Sequence, residues 1–356
     1  MQTSQAPEVP KKRKGILLLN LGSPASPSKK DVRKYLNQFL NDPYVIDLPY
    51  VFRKILVNGI ILNTRPKNSA EAYEKIWQKE GSPLLKNTRG LTEKVITHVA
   101  TSGHAEATLV LMAMRYGIPS IDSAIETFKK EGVDEIVFIP LYPQYSYAAS
   151  ESSIAEFRRI QQKLLPDVKI DVIEDFFSEP LFIKALADSM RDAVARVKPD
   201  LLLLSYHGIP ERQIAKISSP PEVCCSPGCC DQWNQKNRMC YRAQCFETTR
   251  LLAGALELRP EQVMTSFQSR LGRTKWIEPY TDILLQGFAA KGIKRILVAS
   301  PSFTSDCLET LEEIQLRYRD LFLEAGGESF EYLPCLNERD DFAAFITALA
   351  QKTIKA

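Results

Sequence analysis

The sequence predicts an α/β fold composed of two doubly wound parallel-sheet domains. From Gly15 onward, apolar runs of strand length alternate with longer amphipathic stretches, as at residues 122–130 and 179–197, and this alternation is typical of parallel βαβ units. Several runs, such as the four leucines that begin at Leu201, are apolar at every position, which fits strands covered on both faces. The runs fall into two sets of four, and each set predicts one sheet.

In chain order, the first set is GILLLNLG, ATLVLMAMRYG, EIVFIPLYP and KIDVIEDF, and the second is LLLLSYHGIP, QVMTSFQS, RILVASPSF and SFEYLPCLN. This division predicts an N-terminal domain over residues 15–176 and a C-terminal domain over residues 177–356. Residues 1–14 are basic and lack the apolar core of a signal peptide. We therefore expect a disordered tail and no export.

The composition narrows the class of protein. A chain of 356 residues with 44% hydrophobic and 25% charged residues is typical of a soluble globular protein. A net charge of +3 is too small to favour a nucleic-acid partner. No run reaches the roughly eighteen apolar residues of a spanning helix, which predicts a cytoplasmic protein whose membrane contact, if any, is peripheral. Thiols stay reduced there, so the eight cysteines predict ligands or core residues and not disulfides.

An unusually long segment, residues 35–63, separates the first two predicted strands. It places apolar residues at near-helical spacing: Leu36, Phe39, Leu40, Val51, Phe52, Ile55 and Leu56. One interpretation is that they form the core faces of two helices. The other is a hydrophobic lip that walls a large flat ligand, and such a lip could also touch a bilayer.

Polar residues gather where the predicted strands end. Asn20 follows the first strand, Arg115 and Tyr116 follow the second, and Tyr145 and Ser146 follow the third. Open α/β sheets bind ligands at the carboxyl ends of their strands. We therefore expect one site along this rim, although each residue by itself also suits a turn. Neither GxGxxG nor GxxxxGK follows a strand, which disfavours dinucleotide binding and phosphate cradling.

His207 ends the run LLLLSYHGIP, and Gly208 and Pro210 stop that strand abruptly. An imidazole at this edge of the sheet, with an ordinary pKa of about 6.5, can accept a proton or bind a metal. The alternative is that His207 only forms a hydrogen bond within its own turn.

The run SDCLETLEE follows the seventh strand, and two of its three glutamates, Glu309 and Glu313, are candidate functional residues. Asp306 followed three residues later by Glu309 is a capping-box pattern at a helix start. Glu313 lies one helical turn further on the same face, and like charges four residues apart destabilise a helix unless a cation or solvent relieves them. The pattern leaves a helix cap and a metal-handling pair open.

Six of the eight cysteines lie in one insertion, residues 218–248: Cys224, Cys225, Cys229, Cys230, Cys240 and Cys245. Core packing rarely produces such a density. Four thiolates suit either tetrahedral zinc or a 2Fe-2S cluster. Cys335, which closes the last strand, fits a core position.

Together, several motifs resemble those of the ferrochelatases: NLGSP from Asn20, GSPL from Gly81, RYG from Arg115, YPQYS from Tyr142, SYHGIP from Ser205, FQSRLG from Phe267 and FTSDCLETLEE from Phe303. The resemblance spans Gly15 to about Asn337. It implies two Rossmann-like domains around a porphyrin cleft. The implied reaction is insertion of ferrous iron into protoporphyrin IX to form haem, a terminal step of haem biosynthesis.

The resemblance also implies roles for the rim residues. His207 would be the base or an iron ligand, and Glu309, with Glu313, would handle iron on the opposite wall. The porphyrin or its propionates would contact the strand-end residues Arg115, Tyr116, Tyr145, Ser146 and Asn20. Many relatives carry histidine where this chain has Cys307, so a role for that side chain does not transfer.

Some ferrochelatases carry a 2Fe-2S cluster, and the resemblance favours that cluster over zinc in this insertion. The implied ligands are Cys224, Cys230, Cys240 and Cys245, with Cys225 and Cys229 as alternates. The competing interpretations are a cobalt or nickel chelatase acting on another tetrapyrrole, a non-catalytic porphyrin- or metal-binding protein, and a redox protein. The choice between protoporphyrin and coproporphyrin and the oligomeric state stay open.

Overall fold

The computed structural model describes residues 13–104, 108–217, 228–272 and 274–355. Its framework is two four-stranded sheets in which every strand pair is parallel, and all eight predicted strands are present. The first strand begins at Arg13, two residues before the predicted domain start, because Arg13 and Lys14 pair with the third strand. The rest of the predicted tail, residues 1–12, lies outside the described residues.

The first sheet has the strand order β2-β1-β3-β4. Its strands are β1 (Arg13–Gly22), β2 (Thr108–Tyr116), β3 (Val133–Pro140) and β4 (Lys169–Val172). Between them lie α1 (Lys29–Leu40), α2 (Tyr50–Lys54), a π-helix (Ile55–Ile61), α3 (Leu62–Ile76), α4 (Pro83–Val99), a π-turn (Ala100–His104), α5 (Ile121–Lys130), a π-turn (Tyr147–Glu151) and α6 (Ser152–Leu164).

The second sheet repeats this order as β6-β5-β7-β8. Its strands are β5 (Leu201–His207), β6 (Val263–Gln268), β7 (Arg295–Ala299) and β8 (Ser329–Tyr332). The helices are α7 (Pro180–Val197), α8 (Glu211–Ala215), α9 (Tyr241–Ala255), α10 (Thr281–Phe288), a π-helix (Glu309–Tyr318), α11 (Arg319–Glu324) and α12 (Asp340–Lys355), with 3₁₀ turns at Gln235–Asn237, Pro260–Gln262 and Ala289–Lys291. Several predicted strands extend beyond the carboxyl ends of the observed strands. The reason is that apolar residues continue past the strands into the loops that follow them.

Strand order fixes where a site can form. In each sheet the first and third strands are neighbours. The connection from the first strand to the second runs to one side of this pair, and the connection from the third to the fourth runs to the other. A crevice therefore opens at the carboxyl ends of the two neighbouring strands. In the second sheet this switch point lies between β5 and β7, and β5 ends at His207. The strand order of the second sheet therefore places His207 at a crevice.

One hydrophobic cluster contains residues of both sheets, including Ile16 and Leu18 of β1 and Leu202 and Leu204 of β5. Phe176, the predicted domain boundary, is buried in this cluster at 1% exposure. The two sheets thus share a core, and this explains why no flexible linker appears in the sequence. The domain limits at residue 176 remain a prediction.

Part of the long segment between β1 and β2 packs into the core, and part of it forms an exposed apolar surface, so each of the two interpretations of the sequence holds for one part. Leu36 and Leu40 of α1 are buried in a core cluster. Apolar side chains in α2, in the following π-helix and in the loop before them are instead exposed: Leu48, Tyr50, Val51, Phe52, Ile55 and Ile60. We call these six residues the apolar lip; Val51, Phe52 and Ile55 are each at least 60% exposed.

The loop that leads into the apolar lip is fixed to the segment that follows His207. Asp47 pairs with Arg212 at 2.9 Å and with Lys216 at 2.8 Å. Burial works against ionisation of Asp47, but the hydrogen bonds from the two cations lower the pKa of its carboxyl below the usual value. The lip is thereby held beside the turn that carries His207.

Candidate active site

His207 occupies the last position of β5, where the ladder between β5 and β7 has already stopped. That ladder ends at Leu204 and Ala299, whereas the ladder to β6 continues to His207 and Gln268. The main chain of His207 is held by side chains instead: its N–H donates to Ser302 Oγ at 3.2 Å, and its carbonyl oxygen accepts from Tyr241 Oη at 2.9 Å. The histidine is therefore fixed from outside the sheet.

The imidazole is half-buried between Trp276 and Phe303, whose ring centroids lie 6.4 and 6.2 Å from its own. Its Nδ1 lies 2.6 Å from the carbonyl oxygen of Gly208. Because a carbonyl only accepts, Nδ1 must carry the hydrogen, and the neutral ring then keeps its lone pair on Nε2. The hydrogen bond within the turn is thus present and leaves one basic nitrogen. That nitrogen can accept a proton or bind a cation.

Gln268 connects His207 to the glutamates. It lies opposite His207 in the β5–β6 register, is 1% exposed, and accepts from Ser205 Oγ at 2.9 Å. Its Nε2 donates to the carbonyl oxygen of Glu309 at 2.9 Å. One buried side chain therefore spans from the strand pair that carries His207 to the first residue of the π-helix. Gln268 belongs to the FQSRLG motif, whose first two residues end β6, but it was not among the residues predicted from the sequence to have a role in the site.

Glu313, predicted as a catalytic carboxylate, is fully engaged with protein groups. Its Oε1 accepts from the main-chain N–H of Ser269 at 3.0 Å and from Tyr318 Oη at 2.8 Å, and its Oε2 accepts from Ser269 Oγ at 2.6 Å. Ser269 itself has a φ of 65°, an uncommon value for a residue other than glycine. These bonds tie the π-helix to the end of β6.

Glu309 has a different environment. Burial is the largest cause of the raised pKa values of Tyr35, Tyr73 and Cys307, and the nearby carboxylate of Glu309 raises each of them further. Tyr35 and Tyr73 belong to α1 and α3, so Glu309 lies near these two helices of the long segment between β1 and β2. The capping-box interpretation gains no support, because the Asp306 carboxylate instead accepts from Thr310 Oγ1, Tyr332 Oη and Asn337 Nδ2.

Arg115 and Tyr116, predicted to face the porphyrin, converge on a carboxylate of the protein. Arg115 bonds Asp42 Oδ2, and Tyr116 Oη and Ser152 Oγ each donate to the same oxygen at 2.7 Å. Arg115 Nε also donates to Ser152 Oγ at 2.9 Å. The guanidinium thus has an internal partner, and its expected pairing with a propionate stays a prediction.

The other rim residues hold loops. Tyr145 Oη bonds Glu151, and the main-chain N–H of Tyr145 donates to Gln244 Oε1 at 2.6 Å. Ser146 Oγ accepts from the N–H of Ala149 at 3.2 Å and caps the π-turn. Asn20 is 4% exposed and donates from Nδ2 to Thr88 Oγ1 at 3.1 Å. These residues shape the rim, and their predicted contact with substrate remains a prediction.

The described part of the cysteine-rich insertion brings thiols together. The Sγ atoms of Cys229 and Cys230 lie 3.6 Å apart, and a hydrogen bond to Cys240 lowers the pKa of Cys230 to about 6. Burial raises the pKa of Cys245, which contacts the Tyr241 hydroxyl and lies near Cys230. Metals bind thiolates, so the Cys230–Cys240 pair fits a metal site.

Cys224 and Cys225, one of which would complete the predicted ligand set, lie outside the described residues. Within the described ranges, no group of three or more histidine, cysteine, aspartate or glutamate side chains is arranged to hold a metal. Cys335 is buried at 9% exposure, as the sequence predicts, and Cys307 is buried beside Glu309.

Comparison with solved structures identifies the class of fold. SirB from Bacillus subtilis with Fe3+ matches at a TM-score of 0.55 and 13% identity, covering 96% of this chain and 95% of that one. The B. subtilis sirohydrochlorin chelatase SirB in complex with cobalt matches at a TM-score of 0.50 and 10% identity, covering 96% and 94%. The protein therefore has the chelatase fold of two Rossmann-like domains.

The sequence comparisons are more specific. The ferrochelatase family model matches residues 13–354. A ferrochelatase of Ectopseudomonas mendocina is 44% identical over 348 residues, which cover 96% of this chain and 98% of the relative. A ferrochelatase of Coxiella burnetii is 42% identical over 341 residues, covering 96% and 94%. The chain belongs to the ferrochelatase family, whose reaction is the insertion of iron into protoporphyrin to make haem.

Proposed function

We propose that the chain inserts ferrous iron into protoporphyrin IX, with His207 and Glu309 acting from opposite walls of the cleft. The match of the family model to residues 13–354 carries this proposal. The geometry agrees with it, because His207 offers a lone pair on Nε2, while Glu309 projects among Tyr35, Tyr73 and Cys307.

The reaction sets two requirements for the protein. Two pyrrole protons must leave as Fe²⁺ enters, and the macrocycle must be bent so that its nitrogen lone pairs become accessible. Nε2 of His207 can take a proton in the first step, since a neutral imidazole is a common general base in enzymes. Binding of the remote parts of the ring can supply about 1–5 kcal/mol for the distortion. The apolar lip offers a surface for that binding.

Anaerobic incubation of the purified protein with ferrous iron and protoporphyrin tests the proposal directly. We expect the absorbance of haem to appear in proportion to enzyme concentration. Parallel reactions should contain cobalt, nickel, coproporphyrin and sirohydrochlorin. Turnover confined to cobalt or nickel with another tetrapyrrole would replace the proposed reaction, and binding without turnover would make the protein a porphyrin carrier.

We also propose a 2Fe-2S cluster in the cysteine-rich insertion, held by Cys230, Cys240 and Cys245 with Cys224, and with Cys225 and Cys229 as alternates. The thiolate character of Cys230 and its contact with Cys240 support it. Such a cluster would contribute strong visible absorption and a covalent tie across the insertion. Iron insertion changes no oxidation state, so the proposed role is structural or regulatory.

Protein purified without exposure to air should be red-brown, because a 2Fe-2S cluster has visible charge-transfer bands and zinc, with its filled d shell, has none. Replacing Cys240 or Cys245 by serine should remove these bands, whereas replacing Cys230 should be rescued by its neighbour Cys229. Cys335→Ser is the matched control, since that buried cysteine lies outside the insertion. A colourless protein with one equivalent of zinc would assign zinc instead.

We further propose that the protein is cytoplasmic and that the apolar lip touches membranes peripherally. Within the described ranges, no helix is long and apolar enough to span a bilayer. The lip exposes Tyr50 and Phe52 at 65% each, and burying such a side chain yields about 1.5–3 kcal/mol. Wild-type protein should float with lipid vesicles, and the Val51→Ser, Phe52→Ser double variant should not. Equal flotation of both would exclude the lip as the contact.

A further inference from the structure

We infer that Tyr241 is a positioning residue for His207, and that through Tyr241 the geometry of the His207 turn depends on the cysteine-rich insertion. The inference concerns the proposed iron insertion and rests on it for its kinetic readout. Tyr241 lies at the start of α9 and not at a strand end of the rim.

The first observation is how the main chain of His207 is held. Beyond Ala299, β7 no longer pairs with β5, so the sheet itself leaves that side of His207 without ladder bonds. Ser302 and Tyr241 replace them: the His207 N–H donates to Ser302 Oγ at 3.2 Å, and Tyr241 Oη donates to the His207 carbonyl at 2.9 Å. Both polar groups of one peptide segment are thus clamped by a single pair of side chains.

The second observation is that, apart from its place between the rings of Trp276 and Phe303, the imidazole has few polar restraints. Its polar contact is the bond from Nδ1 to Gly208, the next residue in the chain. That bond turns with the main chain and sets no direction relative to the cleft. The direction of Nε2 therefore depends on the His207 peptide, and an error of about 1 Å in a reacting group can cost roughly a hundredfold in rate. Tyr241 is 4% exposed and has little room to move.

The third observation is the place of Tyr241 in the chain. It is the first residue of α9 and directly follows Cys240, whose thiol contacts Cys230. Its hydroxyl also contacts the thiol of Cys245. One turn later, Gln244 accepts from the N–H of Tyr145 in the first domain. The start of α9 therefore joins the cysteines, the His207 turn and the first domain, and a change at the cysteines displaces Tyr241 first.

Tyr241→Phe removes the hydroxyl and keeps the ring. We expect kcat for haem formation to fall roughly ten- to hundredfold, with the KM values for porphyrin and iron changed less than about twofold. Tyr206→Phe is the matched control: Tyr206 is fully buried, and its hydroxyl pairs with the Thr249 side chain, whose Oγ1 lies 3.0 Å away. It should lower the melting temperature as much as Tyr241→Phe and leave kcat within about twofold of wild type.

Hydrogen exchange supplies a readout that needs no turnover. Amides of residues 205–209 should exchange faster in Tyr241→Phe, and also in metal-depleted wild-type protein, but not in Tyr206→Phe. Ser302→Ala, which releases the other side of the clamp, should accelerate the same amides if Tyr241→Phe fails to fold. An unchanged kcat in Tyr241→Phe, or an equal loss in Tyr206→Phe, would overturn the positioning role. If wild-type protein makes no haem but the exchange pattern holds, the proposed reaction fails and the clamp stands.

Discussion

Replacing His207 by alanine should abolish iron insertion while leaving the fold and porphyrin binding largely intact. Removing a positioned proton acceptor typically costs 10²–10⁴-fold in rate, and the substitution also removes a candidate iron ligand. The side chain ends a strand and is half-buried, so its loss leaves no sealed core cavity. The bond from Nδ1 to Gly208 disappears, together with the ring contacts to Trp276 and Phe303; loss of the hydrogen bond costs about 0.5–1.5 kcal/mol. Haem formation, porphyrin fluorescence quenching and thermal unfolding should be measured on the same preparation.

His98→Ala provides the control for this experiment. His98 pairs with Asp340 through Nε2 at 3.0 Å, on the α4–α12 contact far along the chain from the β5 turn. Its replacement should leave turnover near that of wild type. Turnover of His207→Ala within about threefold of wild type would remove His207 from any essential role and would shift attention to Glu309.

The second large effect should separate the two glutamates. Glu309→Gln keeps the shape of the side chain but removes its charge, and we expect turnover to fall at least about a hundredfold, as for loss of a group that acts on the transition state. Stability should hardly change, because the bond from Gln268 to residue 309 uses the main-chain carbonyl. The measurements are haem formation and the midpoint of denaturant unfolding.

Glu313→Gln should show the reverse pattern. Ser269 and Tyr318 direct three donors at the Glu313 carboxylate, and an amide would oppose one of them with another donor. The free energy of unfolding should fall by about 1–3 kcal/mol, with turnover reduced less than in Glu309→Gln. If Glu309→Gln remains active and Glu313→Gln does not, the assignment of the two carboxylates is reversed.

The sequence predicted the positions of the strands well because strand burial is a local property. A strand covered on both faces must be apolar at successive positions, as the buried residues Leu201 to Leu204 are. The order of the strands within each sheet came from the structure, and that order places His207 beside the crevice where such sheets bind ligands. The motifs at the strand ends indicated the ferrochelatase family, and the match of the family model confirmed this assignment.

Side-chain partners far apart in the chain were not predictable in the same way. Arg115 and Asp42 are 73 residues apart, and nothing in the RYG motif shows that its arginine already has a carboxylate. The same holds for Tyr241 and His207, separated by 34 residues. The apolar lip illustrates the limit for periodicity: α1 and α2 have similar apolar spacing, but only α1 has a neighbouring surface against which to bury it.

The sequence by itself therefore determined the α/β class, the eight strands, the strand-end position of His207 and the concentration of cysteines in one insertion. Only the tertiary structure decided which glutamate is engaged by Ser269 and Tyr318, which faces the tyrosines of α1 and α3, and what holds the His207 peptide. The physical reason is the distance along the chain over which each kind of interaction acts. Hydrophobic periodicity records whether a residue is covered, whereas hydrogen-bond partners depend on where the folded chain brings distant donors and acceptors within about 3 Å of each other.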